Sequence, residues 1–102
     1  MIIKVKAEKL EYYRQLHEAV WPKVLEVIKA CNIHNYSIFH KDGYLFSYFE
    51  YTGSDFEKDM QHMASDPVTQ EWWMLCKPCH EPLSTRKEGE WWAVMDQLFY
   101  CE

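Results

Sequence analysis

The chain has 102 residues, 17% of them aromatic, and a formal net charge of -5. That length implies one domain, residues 1–102, and acidic residues scattered among the basic ones leave no cationic stripe, so no nucleic-acid partner is expected. No apolar run approaches the roughly 20 residues of a membrane span, and Met1-Ile2-Ile3-Lys4-Val5-Lys6 lacks the apolar stretch of a signal peptide; a cytoplasmic protein with no membrane partner is expected.

A domain this small buries only about two-thirds of the surface its unfolded chain exposes. Each buried aromatic ring removes roughly 150–250 Å² from water. The aromatic content therefore exceeds what one thin core needs, and some rings should line a pocket or a subunit interface.

Residues 1–6 alternate weakly and predict a first strand. Leu10, Tyr13, His17, Val20, Val24, Val27 and Cys31 then recur at steps of three and four, one face of an amphipathic helix. Pro22 interrupts it, because proline removes a backbone donor and disfavours helical geometry at Trp21. The expectation is a kink, or two helical pieces with Pro22 opening the second.

The alternation from His34 to His40 predicts a second strand, and Lys41-Asp42-Gly43 a tight hairpin turn, since Asp-Gly suits the required backbone. Tyr44 to Tyr51 reads as an aromatic-rich central strand. Ser54 or Asp55 can cap a helix running to about Ala64, and Asp66-Pro67 opens another that carries Trp72 and Trp73. The polar stretch Lys77 to Gly89 reads as a long loop of the kind that covers pockets. Trp92 to Tyr100 predicts a last strand. The order β-α-β-β-α-β is the ferredoxin-like α+β arrangement, a four-stranded antiparallel sheet with helices on one face. The other face needs cover, and a homodimer supplies it.

Tyr13 and His17 stand one helical turn apart on the inward face. Histidine exchanges protons near neutral pH, though a core histidine satisfied by a hydrogen bond would show the same spacing. Tyr36 shares a strand face with Ile38 and His40, and its hydroxyl reaches the same pocket if that face meets the helix; a cross-strand aromatic pair is the alternative. Adjacent helical residues point about 100° apart, so one of Trp72 and Trp73 can enter the core while the other faces a pocket, where indole suits the apolar face of a sugar. Trp91-Trp92 offers the same choice. Glu50 reads as a possible buried carboxylate, paired rather than catalytic. Cys76-Lys77-Pro78-Cys79-His80 matches C-x-x-C-H, a haem-attachment or redox pattern. The pair follows a helix instead of opening one, and a zinc site wants four ligands, so Cys31, Cys76, Cys79 and Cys101 read as free thiols with no metal.

Tyr13-x-x-x-His17-x-x-Val20-Trp21-Pro22, Ile33-His34-Asn35-Tyr36-Ser37-Ile38, Trp72-Trp73 and the terminal Leu98-Phe99-Tyr100 together resemble the L-rhamnose mutarotase family, in order and over nearly the whole chain. The resemblance implies a ferredoxin-like dimer and a cofactor-free isomerase that interconverts the α and β anomers of L-rhamnose or a related deoxyhexose. It implies His17 as proton donor and Tyr13, Tyr36, Trp72 and Trp73 as sugar contacts. C-x-x-C-H lies outside the pattern, and Lys77–Trp92 departs most from it. Two other classes fit the architecture: a dimeric α+β barrel oxygenase or haem-binding enzyme, which an optical spectrum with added haem would reveal, and a non-catalytic sugar-binding domain.

Overall fold

The computed structural model describes residues 1–102. Strand β1 (Ile2–Val5) leads through a short 3-10 turn into α1 (Leu10–Glu18) and α2 (Pro22–Ala30). Strands β2 (Ile33–Lys41) and β3 (Tyr44–Tyr51) follow as a hairpin, then α3 (Phe56–Ser65), α4 (Pro67–Cys76) and the two-residue strand β4 (His80–Glu81). All pairings are antiparallel and the sheet order is β2-β3-β1-β4, the ferredoxin-like α+β order. No helix is long and apolar enough to cross a membrane.

The local chemistry explains the boundaries. Pro22 takes the first position of α2, and Trp21 before it is extended at ψ 130, as a residue preceding proline must be. The long helical pattern is thus two helices sharing one buried stripe. Asp55 and Asp66 cap α3 and α4, each side chain accepting a backbone N–H of the first turn, from Lys58 at 3.1 Å and from Thr69 at 2.8 Å. Asp42 and Gly43 both have positive φ, 52° and 82°, which is the two-residue turn whose twist matches the flanking strands.

Ile3 and Val5 of β1, Leu45 of β3, Tyr13 of α1, Val24 of α2 and Trp72 and Cys76 of α4 form the core on the helix-covered face. On the open face Ile2 opposes Phe46 and Phe39 opposes Phe46 from the other side. Phe39 there is 61% exposed, and Tyr44 and Tyr48 are exposed beside it.

A β-bulge lies between His34 and Ser37 of β2, with Asn35 in left-handed geometry at φ 49°. Before it Ile33 faces the helices; after it Tyr36, Ile38 and His40 do. The extra residue therefore turns Tyr36 inward, a recurrent use of bulges beside functional sites.

The last strand is not Trp92–Tyr100. His80 and Glu81 pair with Val5 and Lys4 instead, and of the expected strand only Ala93 pairs, in a single bridge to Ile2. β1 is four residues long. Once β4 has taken one end of its edge and Ala93 the other, Val94 onward runs past the strand. Leu98, Phe99 and Tyr100 are exposed there.

Candidate active site

A cleft of about 1100 Å³ opens between the helix layer and β2. Tyr13, His17, Tyr36, Trp72 and Trp73 all line it, so the fold brings the five singled-out residues to one cavity from α1, β2 and α4.

α1 sets the first two. One helical turn places His17 over Tyr13, with ring centroids 4.2 Å apart. Nδ1 of His17 donates to the Tyr13 backbone carbonyl at 2.8 Å. The carbonyl can only accept, so Nδ1 carries the proton, and in the neutral ring Nε2 holds the lone pair. Burial pushes the His17 pKa below 6.5, an effect the carbonyl contact partly opposes. The histidine thus rests neutral near pH 7, ready to accept a proton at Nε2.

Tyr13 is 5% exposed, and burial, with smaller contributions from Cys76, Tyr36 and Cys79, drives its phenol far above the ordinary value. Tyr36 is 41% exposed, yet desolvation, then the Cys76 charge, raises its pKa as well. Both phenols stay protonated and can donate or accept hydrogen bonds without ionising. Tyr36 also packs on Phe49 across the hairpin at 5.7 Å, so the expected cross-strand pair and the cleft position coexist.

The two tryptophans divide as their 100° separation requires. Trp72 is 5% exposed and meets His17 edge-on at 5.5 Å and Trp21 at 5.3 Å. Trp73 is half-buried, and the Lys77 ammonium lies 5.2 Å over its ring. Trp72 is the core-facing member and Trp73 the one with free surface.

One expectation changes, and two open readings are resolved. Glu50 is paired, accepting from Tyr48 Oη at 2.7 Å and Asn35 Nδ2 at 3.0 Å, but it is exposed on the open face; the hydrogen bonds from Tyr48 and then Asn35 lower its pKa. Trp91 and Trp92 do not line the cleft. They pack on His80, Trp91 at 6.4 Å and Trp92 at 5.4 Å between ring centroids. The C-x-x-C-H stretch is core: Cys76, Cys79 and His80 are buried, and burial pushes the Cys76 thiol up to about 12, away from thiolate reactivity. Sequence reasoning missed Trp21, which packs edge-on against Trp72 behind the cleft wall, and His80, which the motif disguised as a ligand. No three His, Cys, Asp or Glu side chains converge as metal ligands would.

The family model described as L-rhamnose mutarotase matches residues 1–101. The chain belongs to the L-rhamnose mutarotase family. Among its members, L-rhamnose mutarotase of Bacillus subtilis (strain 168) is 38% identical over 79 residues, 76% of this chain and 73% of that protein. The Citrobacter koseri L-rhamnose mutarotase is 30% identical over 107 residues, 97% of this chain and 92% of that one. The crystal structure of an L-rhamnose mutarotase from Formosa agariphila superposes with a TM-score of 0.75 at 18% identity, covering 99% of this chain and 94% of the other. The fold is that of this mutarotase.

Proposed function

We propose that this member of the mutarotase family interconverts the α and β anomers of L-rhamnose or a related deoxyhexose without a cofactor. The observation that carries the reading is His17: Nδ1 tied to the backbone, Nε2 left free, in a cleft walled by two neutral phenols and two indoles.

Opening the hemiacetal moves one proton. The O1–H bond gives up its proton as C1=O1 forms and the C1–O5 bond breaks, and O5 gains a proton. O1 and O5 share the carbon C1, so one nitrogen can serve both. Neutral His17 takes the O1 proton at Nε2, and the imidazolium so formed is the donor that protonates O5. Rotation about C1–C2 exposes the other carbonyl face, and the same steps reversed close the ring as the other anomer. No net proton is consumed. A positioned acid or base of this kind contributes roughly 10²–10⁴-fold. Tyr13 and Tyr36 would orient sugar hydroxyls, and Trp73 and the edge of Trp72 would cover the apolar face and the C6 methyl.

The protein acts as a cytoplasmic homodimer in this reading. Free thiols at Cys31, Cys76, Cys79 and Cys101 suit a reducing compartment. The open sheet face with Phe39, Tyr44 and Tyr48, and the apolar tail with Leu98 and Phe99, leave more exposed aromatic surface than a monomer keeps. A second copy covers it.

Saturation-transfer NMR of the anomeric protons tests the activity against a panel of deoxyhexoses. Exchange of L-rhamnose faster than the spontaneous rate is expected. Sugar binding with no acceleration would make the chain a binding protein.

A further inference from the structure

His80 is buried beside the site, and the reaction above does not use it. It is 6% exposed, and its Nδ1 accepts a hydrogen bond from Trp91 Nε1 at 3.0 Å. A ring nitrogen that accepts holds the lone pair, so the proton of the neutral imidazole sits on Nε2. That Nε2 is buried with no hydrogen-bond partner. Buried polar atoms are almost always paired, and an apolar residue would fill this position without the unmet donor. The imidazole is instead flanked by rings, Tyr13 at 5.1 Å and 60° and Trp92 at 5.4 Å and 73°. Steep angles of this sort set a ring edge against a ring face.

Two contacts run outward from Trp91. Through His80 it reaches Tyr13, which lies on His17. Its own ring also carries the Lys77 ammonium at 5.6 Å, and Lys77 covers Trp73 at 5.2 Å. One residue at the end of the polar loop thus supports, from behind, two cleft residues of the helix layer, Tyr13 on α1 and Trp73 on α4.

We propose that His80, locked by Trp91, is a positioning residue of the anomer-exchange site: it holds the Tyr13 ring against His17, while Lys77, bound to the same Trp91, holds Trp73. The inference rests on the mutarotase reading above. His80 does not line the cleft, so it touches no sugar. Burial, then the charges of His17 and Lys77, bring its pKa down to about 4, so it stays neutral and does not compete with His17 for the proton. Its contribution is geometric, and geometry matters because a shift of about 1 Å in a reacting group can cost about 10²-fold.

Four variants decide it, His80→Leu, His80→Asn, Trp91→Phe and the double His80→Leu/Trp91→Phe, each measured as purified folded protein. His80→Leu packs but cannot accept from Trp91; Asn can. Trp91→Phe keeps a ring over Lys77 and loses only the donor. Expected are a turnover about tenfold lower in His80→Leu and in Trp91→Phe with KM changed less than about twofold, a double variant no worse than either single, and recovery of most of the loss in His80→Asn. Turnover per folded molecule that stays at the wild-type level, with only melting affected, would make His80 a plain core residue. Losses that multiply in the double variant would also overturn the coupling. If His80→Leu does not fold, half-exposed Trp91 carries the test through Trp91→Phe. Should the wild type itself not accelerate exchange, the mutarotase reading falls. The support of Tyr13 is then read from labelled-tyrosine NMR: Tyr13 resonances that shift alike in the folded variants uphold it, and unmoved ones sink it.

Discussion

Nδ1 of His17 donates to the carbonyl of Tyr13, one turn earlier in α1, at 2.8 Å. The helix backbone itself therefore sets the tautomer of His17. If His17 carries the proton, His17→Ala should keep the fold and lose at least about 10²-fold in catalysed exchange of L-rhamnose. His17→Gln should not restore it, since an amide hydrogen-bonds but does not shuttle a proton near neutrality. Tyr13→Phe should be milder, because the ring still packs. Saturation-transfer NMR with the spontaneous rate subtracted measures all three, and near-wild-type exchange in folded His17→Ala would move the role to Tyr36 or another group.

If His17 is the base, it rests neutral, because burial lowers its pKa from 6.5. Catalysed exchange should accordingly be flat around pH 7–8 and decline on the acid side of 6.5, as the imidazole takes a proton before the sugar arrives. A rate that rises on acidification through this range would mean that the imidazolium is the resting catalyst.

Trp72 and Trp73 should part company on substitution. Trp72→Ala empties a core site and should destabilise by about 3–5 kcal/mol, seen as a lower urea midpoint. Trp73→Ala should cost much less stability and weaken sugar binding by about 1–2 kcal/mol, the scale of a lost stacked ring. Normal binding in both would remove the indoles from the sugar site.

Stability should depend on pH through His80. Its folded pKa, about 4, lies below the unfolded value of 6.5, so between those limits the unfolded chain binds more protons. The stabilisation is complete above pH 6.5 and is lost as pH falls towards 4, at a slope of up to about 1.4 kcal/mol per pH unit. His17, shifted the same way, adds to it. Urea midpoints at pH 5 and pH 7 should differ in the wild type and differ less in His80→Leu.

Light scattering should report a dimer at micromolar concentration. Phe39→Glu, on the open sheet face, should shift it to monomer, because a charge placed at the centre of an apolar interface is not hydrated there. A monomeric wild type would leave the exposed aromatics of β2 and β3 without this explanation.

The helices were legible in the sequence because their signals are local. Asp55, Asp66 and Pro22 mark starts, and the Tyr13–His17–Val24 stripe marks a buried face. Four of the five site residues lie on those helices and were placed accordingly. Tyr36 also reached the cleft, but through a bulge at Asn35 that no period announces; the only trace is that Ile33 and Tyr36 fall out of phase. β4 was not legible. His80-Glu81 is two residues long, and its partner, the edge of β1, is distant in sequence. Trp92–Tyr100 has the apolar content of a strand but no edge to join. His80 itself was read with its neighbouring cysteines, because a motif records spacing and not burial.

The edge-on contact between Trp72 and His17 makes the site visible by light. An excited indole transfers charge to a neighbouring imidazolium far more readily than to a neutral imidazole. Trp72 lies 5.5 Å from His17 and is shielded from water, so its share of the emission should be blue-shifted and should dim as His17 gains a proton. Of the five tryptophans, the emission component lost in Trp72→Phe should report the charge on the proposed base without any label.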